Sequence, residues 1–405
     1  MPRVLIATTG SVGDLNPMLA IGTQLRALDV DVRIAAPACH EGACRESGLS
    51  FVPIGSAADY VDSLGYSRNI LTGPGYEQFI ERLNFDRLEE FYRQLLAAAD
   101  GSDAIVAPVH VVPAHLVAEK KCVPYIACVL AVAHIRSPAK PGSEEYRRQL
   151  TASTQWHSAL RKLRLEQGLR RKILPFSSLL HDATKVLGVL PRFLLSDDDI
   201  QKTDLAVVGY AEYNHAQRMV QDHELRSFCD ERTVAFSFGS FADACDPMHF
   251  FEESVVACRM LNRKCVYLSR YLPTAAHDAI SKNEVLVRSD VAPDAVFPLV
   301  GAVVHHGGTG TLIAASKHWK PMAIVPFFLD QPENAARMQS LVGAPNIPAV
   351  DYDRYSAVDA LKCVIDTQEV MRDRLRALMT EYRDGALLAA QSILAALNQS
   401  GKPSK

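Results

Sequence analysis

Short apolar runs alternate with amphipathic stretches along the first third of the chain. Val4-Leu5-Ile6-Ala7 is continuously apolar, as expected for a strand buried on both faces. A turn at Gly10 to Gly13 leads into a helical pattern from Pro17 to Ala27, with Leu19 and Leu25 near one face. Val30 to Ala36 predicts a second strand, His40 to Ser47 a short helix, and Leu49 to Ile54 a third strand. Such a βαβαβ unit implies a parallel sheet with right-handed crossovers. Phe79, Leu83, Leu88, Phe91 and Leu95 then mark an amphipathic helix. Ala104 to Ala107 and Tyr125 to Val132 predict two more buried strands.

The stretch from Ser137 to Gln201 breaks this rhythm. It is helical in composition and carries a basic patch of Arg161, Lys162, Arg164, Arg170, Arg171 and Lys172. Such a patch reads as a solvated helix face in preference to a membrane-binding one. From Thr233 the alternation resumes. Strands are expected at Val234–Phe238, Lys264–Leu268, Glu284–Val287, Ala302–Val304 and Met322–Pro326. Helices are expected at Pro247–Asn262, Thr311–Ser316, Ala357–Ile365, Gln368–Tyr382 and Ala386–Gln399.

The pattern therefore predicts an α/β protein of two Rossmann-like, doubly wound parallel-sheet domains facing across a cleft. Residues 1–212 form the first, with a helical insertion at about 137–201; residues 213–385 form the second; residues 386–405 are a C-terminal helix. The linker falls around Gly209 to Asp230. Ligands of such folds bind at the carboxyl ends of the strands, which points to the cleft.

A length of 405 residues agrees with two domains, because single cores rarely grow past ~250–300 residues. With 48% hydrophobic and 22% charged residues the chain is of ordinary globular type. The 43 Lys+Arg against 46 Asp+Glu give a net charge of -3, which disfavours nucleic acid as a partner. Nine cysteines without any CxxC offer neither a zinc ribbon nor a thioredoxin-like motif, and read as reduced thiols. No apolar run reaches the ~18–20 residues of a membrane span, and the apolar part of the N-terminus is too short for a signal peptide. A soluble, cytoplasmic protein, monomeric or homodimeric, is expected.

Three segments carry candidate chemistry. Gly10-Ser11-Val12-Gly13-Asp14-Leu15-Asn16-Pro17 follows the first strand, and Ser237-Phe238-Gly239-Ser240 follows the first strand of the second domain. His305-His306-Gly307-Gly308-Thr309-Gly310-Thr311 lies between a strand and a helix start. Asp330-Gln331-Pro332-Glu333-Asn334 comes further on. Glycines permit close backbone approach, and free N–H groups at a helix N-terminus bind anions, so the third segment suits a pyrophosphate. A capping threonine at a plain strand-to-helix turn explains part of it but not the neighbouring histidine and glycines. No lysine follows the glycines, which excludes Walker A; Val12 and Leu15 stand where a dinucleotide fingerprint needs glycine. Asp14 is either an N-cap-region carboxylate or a base that takes a proton from an acceptor hydroxyl. His110 and His134, at strand ends facing the expected cleft, are reserve bases, and with Gly13 they are the candidates for lining the acceptor cleft.

On these segments the chain resembles the inverting nucleotide-sugar glycosyltransferases of the glycosyltransferase-B fold, especially bacterial rhamnosyltransferases and antibiotic glycosyltransferases. The family's GSxGDxxP appears as Gly10 to Pro17, its SFGS as Ser237 to Ser240, its HHGGxGT as His305 to Thr311, and its DQxxNA as Asp330 to Ala335. The resemblance implies that the second domain binds the donor. Ser240, His306, Gly308, Thr309, Gly310 and Thr311 would hold the diphosphate, and Asp330 and Gln331 the sugar hydroxyls. Arg288 to Pro293, with Arg288 and Val291, would border the nucleobase. Asp14 falls on the general-base position, and the first domain would choose a small-molecule, natural-product or lipid acceptor.

The nucleotide sugar is a co-substrate, so no cofactor and no metal are expected, and no carboxylate cluster suggests one. Many relatives carry a glutamate three residues after the Gly-Thr pair, where it can bridge both ribose hydroxyls; here Ala314 stands there. A missing partner would leave a buried 2′-hydroxyl unsatisfied, which favours a dTDP-sugar over a UDP-sugar. The competing classes are a catalytically silent glycosyltransferase-like binding or activator protein, a sugar-nucleotide epimerase on the same fold, and last an NAD-dependent oxidoreductase.

Overall fold

The computed structural model describes residues 1–55, 87–135, 158–169, 180, 183–213, 222–240, 245–273, 283–289 and 291–400. Among them the chain divides into two compact units. One comprises the described residues of Met1–Ser63, Glu77–Tyr213 and Arg383 onward; the other comprises those of Asn214–Tyr382.

The first unit is built on a seven-stranded, wholly parallel sheet. Its strands are β1 (Arg3–Ala7), β2 (Asp31–Pro37), β3 (Ser50–Ile54), β4 (Ala104–Pro108), β5 (Tyr125–Val129), β6 (Lys185–Gly188) and β7 (Ala206–Val207), in the order β3-β2-β1-β4-β5-β6-β7. β4 and β5 are buried at every residue, which is why they read as unbroken apolar runs. Helix α1 (Val12–Ala27) follows β1, α2 (Leu88–Ala98) precedes β4, and α3 (Val112–Lys121) joins β4 to β5. Phe79 and Leu83 of the expected helix lie outside the described residues.

Three features differ from the sequence expectation. Helix α1 begins at Val12 and not at Pro17, because Ser11 caps it in a reciprocal box with Asp14. The 137–201 segment, helical by composition, contains β6, which extends the sheet beyond β5. Its polar lysine hides a buried Val186-Leu187-Gly188. Arg164 of the basic patch is not solvated: in the helical stretch 158–166 it forms two bonds to Glu119 of α3, at 2.7 and 3.0 Å, with side chains 6% and 10% exposed. Arg161 and Lys162 are exposed, and Arg170, Arg171 and Lys172 lie outside the described residues.

The second unit has a five-stranded parallel sheet in the order β10-β9-β8-β11-β12. The strands are β8 (Thr233–Ser237), β9 (Lys264–Leu268), β10 (Val285–Arg288), β11 (Ala302–His305) and β12 (Met322–Ile324). Its principal helices are α4 (Pro247–Met260), α5 (Thr309–Lys317), α6 (Gln331–Val342), α7 (Arg354–Asp366) and α8 (Gln368–Met379). Phe236, Phe238, Phe250, Phe327 and Tyr352 interlock behind the sheet with centroid spacings between 4.9 and 6.4 Å. The buried Tyr352 hydroxyl lies 2.7 Å from Ser254 Oγ, and Arg354 grips both oxygens of Glu253 through Nε and Nη2, tying α7 to α4.

The last helix, α9 (Ala386–Ser400), lies on α1 in the first unit and buries Ala386, Ala389, Ala390, Ile393 and Ala396 in that unit's core. No helix among the described residues is long and apolar enough to cross a membrane.

The Glu119–Arg164 pair sets one expectation. Removing one partner strands a buried charge, so Arg164→Met should lower the stability of the first unit by about 3–5 kcal/mol in chemical denaturation. The double variant Glu119→Leu/Arg164→Met should recover most of that loss. A single variant as stable as the parent would show that the pair is not enclosed in solution.

Candidate functional site

In the first unit the chemistry gathers where β1 and β4 end side by side. Ile6 pairs with Val106, so the segments leaving both strands start at the same level. The β1 exit turns through Gly10, whose φ is +90° and where a Cβ would lie 2.5 Å from Asp14 Oδ2. Only glycine fits there. His40, which sequence reasoning passed over, is 7% exposed and donates from Nε2 to the Gly10 carbonyl at 2.9 Å, fixing this turn.

Asp14 occupies the third position of α1. Its Oδ2 accepts from the Ser11 backbone N–H at 2.8 Å and from Ser11 Oγ at 3.2 Å. The other oxygen, Oδ1, stands 3.8 Å from His110 Nε2, and the His110 ring lies 5.5 Å from that of His134. Three of the residues picked from sequence therefore meet at one place, with Gly13 exposed on the same helix turn. Desolvation raises the pKa of Asp14 above the ordinary carboxylate value, against the lowering pull of its Ser11 bonds. Burial pushes His110 down to about 4 and His134 to about 3, so both rings are neutral at pH 7. A carboxylate beside neutral imidazoles can accept a proton.

In the second unit the equivalent place is where β8 and β11 end, with Ser237 opposite His305. His305 is fully buried; its Nδ1 accepts from the Gly307 N–H at 3.1 Å, and its Nε2 faces Met322 Sδ at 3.4 Å. Burial holds it near a pKa of 3, a neutral ring that shapes the turn. His306 is partly exposed, and its Nδ1 lies 3.2 Å from the Ser237 carbonyl. Its ring passes between Gly239 and Gly308, where a Cβ would come within 2.7 and 2.3 Å of Nε2. Burial lowers its pKa to about 4.

Gly308 caps α5 without a side-chain bond, so the first N–H groups of that helix, at Thr309, Gly310 and Thr311, carry no side-chain cap and are partly exposed. Ser240, one residue past Gly239, is also partly exposed. Backbone donors, a helix dipole and small polar side chains make this turn chemically suited to an anion.

The loop after β12 closes on the same turn. Asp330 Oδ2 accepts from Thr309 Oγ1 at 3.3 Å and from Asn334 Nδ2 at 2.9 Å, and the same Asn334 amide donates to the Gly307 carbonyl at 2.9 Å. Asn334, 2% exposed, thus ties the two motifs together. Its position in the DQxxNA stretch is the only sequence signal that marks it. Gln331 is 7% exposed, and its Oε1 accepts from the Phe327 N–H at 2.8 Å, which leaves its amide nitrogen for other work. Leu329 holds a left-handed backbone with φ of +55° immediately before Asp330 and is half exposed.

Arg288 ends β10 with its guanidinium already engaged by Asp222 at 2.6 Å and Glu224 at 2.7 Å, and Val291 is partly exposed nearby in sequence. Ala314 is buried on α5. No cluster of metal-ligating side chains occurs among the described residues.

Residues 228–381 match the family of UDP-glucoronosyl and UDP-glucosyl transferases. Residues 4–133 match the glycosyltransferase family 28 N-terminal domain. The vancomycin aglycone glucosyltransferase of Amycolatopsis orientalis is 27% identical over 98% of both chains. Among solved structures, the glycotransferase of kitacinnamycin superposes with a TM-score of 0.71 at 22% identity, covering 98% of this chain and 100% of its own. The glycosyltransferase VinC, solved in complex with dTDP, superposes with a TM-score of 0.69 at 18% identity over 98% and 100%. At these identities the two structures speak for the fold alone.

Four histidines whose titration is pushed down, one fully buried and three partly buried, give a direct expectation. An unfolded histidine titrates near ~6.5, whereas His110 and His306 are held near about 4 and His134 and His305 near about 3. Between those values the unfolded chain binds more protons, so these groups make stability fall as pH drops from ~6.5 towards ~4. Above ~6.5 they contribute no pH dependence. In ¹⁵N spectra of the unliganded protein none of the four should titrate between pH 8 and 5.5; an inflection near 6.5 from any of them would contradict the burial argument.

Proposed function

The chain belongs to the nucleotide-sugar glycosyltransferases of the glycosyltransferase-B type, and from that premise we propose that it is an inverting enzyme using a dTDP-sugar on a natural-product hydroxyl. The observation that carries the reading is the helix N-terminus without a side-chain cap beside His306 in the second unit; within the first unit the desolvated carboxylate of Asp14 supports it.

The donor diphosphate rests on the N–H groups of Thr309 to Thr311, on Ser240 and on His306. Asp330, whose Oδ2 is held by Asn334, meets a sugar hydroxyl, and Gln331 offers its amide nitrogen. The nucleobase meets the segment from Arg288 to Pro293, where Asp222 and Glu224 hold the Arg288 guanidinium in place.

The acceptor oxygen attacks the anomeric carbon as Asp14 Oδ1 takes its proton. The new C–O bond forms while the bond to the β-phosphate oxygen breaks, and nucleoside diphosphate leaves with inversion. Charge that grows on the leaving oxygen is stabilised by donors fixed before the reaction begins. Ala314 supports the dTDP preference, because its side chain offers a ribose 2′-hydroxyl no hydrogen-bond partner. The acceptor class is inferred by analogy with the relative that glycosylates the vancomycin aglycone.

Asn at position 14 keeps an oxygen for the Ser11 cap, so Asp14→Asn should fold normally. It should lower turnover by about 10²–10⁴-fold while leaving nucleotide affinity unchanged; an unimpaired variant would remove Asp14 from the mechanism. In thermal-shift titrations dTDP should raise the midpoint at lower concentration than UDP, and the reverse order would overturn the donor assignment.

A further inference from the structure

We infer that His306 holds the donor diphosphate as an imidazolium, so that each sugar nucleotide bound brings one solvent proton onto Nε2. The inference rests on the reading above, in which residues 306–311 bind the diphosphate, and adds the charge state in which they do so.

The argument starts from hydrogen-bond direction. A carbonyl oxygen only accepts, so the 3.2 Å contact between His306 Nδ1 and the Ser237 carbonyl places a hydrogen on Nδ1. In a neutral ring Nε2 is then a bare lone pair. That atom faces the turn, flanked by Gly239 and Gly308 so closely that neither could carry a side chain. A lone pair presented to phosphate oxygens is repulsive and cannot donate.

Two remedies exist. The ring can change tautomer, putting the hydrogen on Nε2, but this turns a second lone pair towards the Ser237 carbonyl and breaks the bond that orients the ring. Alternatively Nε2 gains a proton while Nδ1 keeps its own, and both contacts become favourable.

The surroundings decide between them. His305 beside it is neutral, with Nδ1 accepting from Gly307. The Asp330 carboxylate approaches from the opposite loop, held by Thr309 and Asn334. Arg288 is committed to Asp222 and Glu224. Burial by the protein's own groups keeps the ring neutral, and the Ser237 carbonyl opposes that only in part. A diphosphate adds negative charge in a partly desolvated turn, where opposite charges a few ångströms apart shift a titration strongly.

The consequence for the reaction is a cation beside the leaving group. As the anomeric C–O bond breaks, its electron pair passes to a phosphate oxygen already facing N–H⁺. The proton taken from solvent on binding leaves with, or just after, the nucleoside diphosphate. The acceptor's proton, on Asp14, is a separate one.

Sugar nucleotides suit the test, because their esterified phosphates have no proton to lose near neutrality, unlike a terminal phosphate with its pKa near ~6. Isothermal titration of the full chain with dTDP-glucose and with UDP-glucose, at pH ~6 in buffers of different ionisation enthalpy, should show uptake of about one proton per ligand bound, because an opposite charge nearby raises a pKa by ~1–3 units. By linkage the affinity should fall up to ~10-fold per pH unit on the alkaline side. In His306→Gln the uptake should vanish and the residual affinity should lose this pH dependence. In the parent protein the ¹⁵N signals of His306 should change from neutral to cationic on adding the ligand. Tight binding with no proton uptake, or uptake that persists in His306→Gln, overturns the inference and leaves the donor site standing. Failure of both sugar nucleotides to bind overturns the donor reading beneath it.

Discussion

Parallel pairing in register is the constraint on which both half-sites depend. In β1–β4 and in β8–β11 two neighbouring strands stop at the same level, and each continues into a turn that opens a helix. Parallel strands all point the same way, so every such turn falls on one edge of its sheet. That is why residues about 70 to 100 positions apart, such as Asp14 with His110 and Ser237 with His306, become neighbours without any special sequence code. A one-residue slip of β11 against β8 would carry His306 away from the Ser237 carbonyl and reverse the faces of the strand.

Within each turn the same atoms serve folding and chemistry. Asp14 divides its oxygens: Oδ2 closes the cap of α1, while Oδ1 remains for a proton. Gln331 divides its amide in the same manner, with Oε1 pinning the 327–328 backbone. Asn334 spends its amide hydrogens on holding Gly307 and Asp330 together. Such sharing gives rigidity at small cost, because a side chain already held by one bond loses little further entropy on meeting a ligand.

The legible part of the fold was the part governed by periodicity. Strands buried on both faces show as apolar runs, and β8, β9 and β11 lie almost where those runs predict. Signals that depend on remote partners were not legible. Proline at 17 looks like a helix start, yet the Ser11–Asp14 box begins α1 at Val12. Arg164 looks like surface charge until Glu119, 45 positions away, is seen to enclose it. Arg288 is engaged by Asp222, 66 positions earlier, a pairing that no local spacing announces. His40 and Asn334 fix the two turns through bonds to backbone carbonyls 30 and 27 positions away, and no spacing rule reveals such contacts.

Under the proposed function, the charge state of the turn at His306 follows from comparing magnitudes. A helix N-terminus presents roughly half an elementary charge, against the two negative charges of a diphosphate diester. Backbone donors and hydroxyls direct the phosphate oxygens but add no net charge. The described residues of this turn offer the carboxylate of Asp330, whose sign is wrong, and the imidazole of His306. A neutral imidazole already hydrogen-bonded through Nδ1 has nothing to donate, so its burial between two glycines would be wasted on an anion. Protonated, the same ring supplies a full positive charge at the place where the leaving oxygen develops its own. The glycines at 239 and 308 leave room around Nε2 that no side chain could share, and under the proposed function that room is where the ring would meet the phosphate.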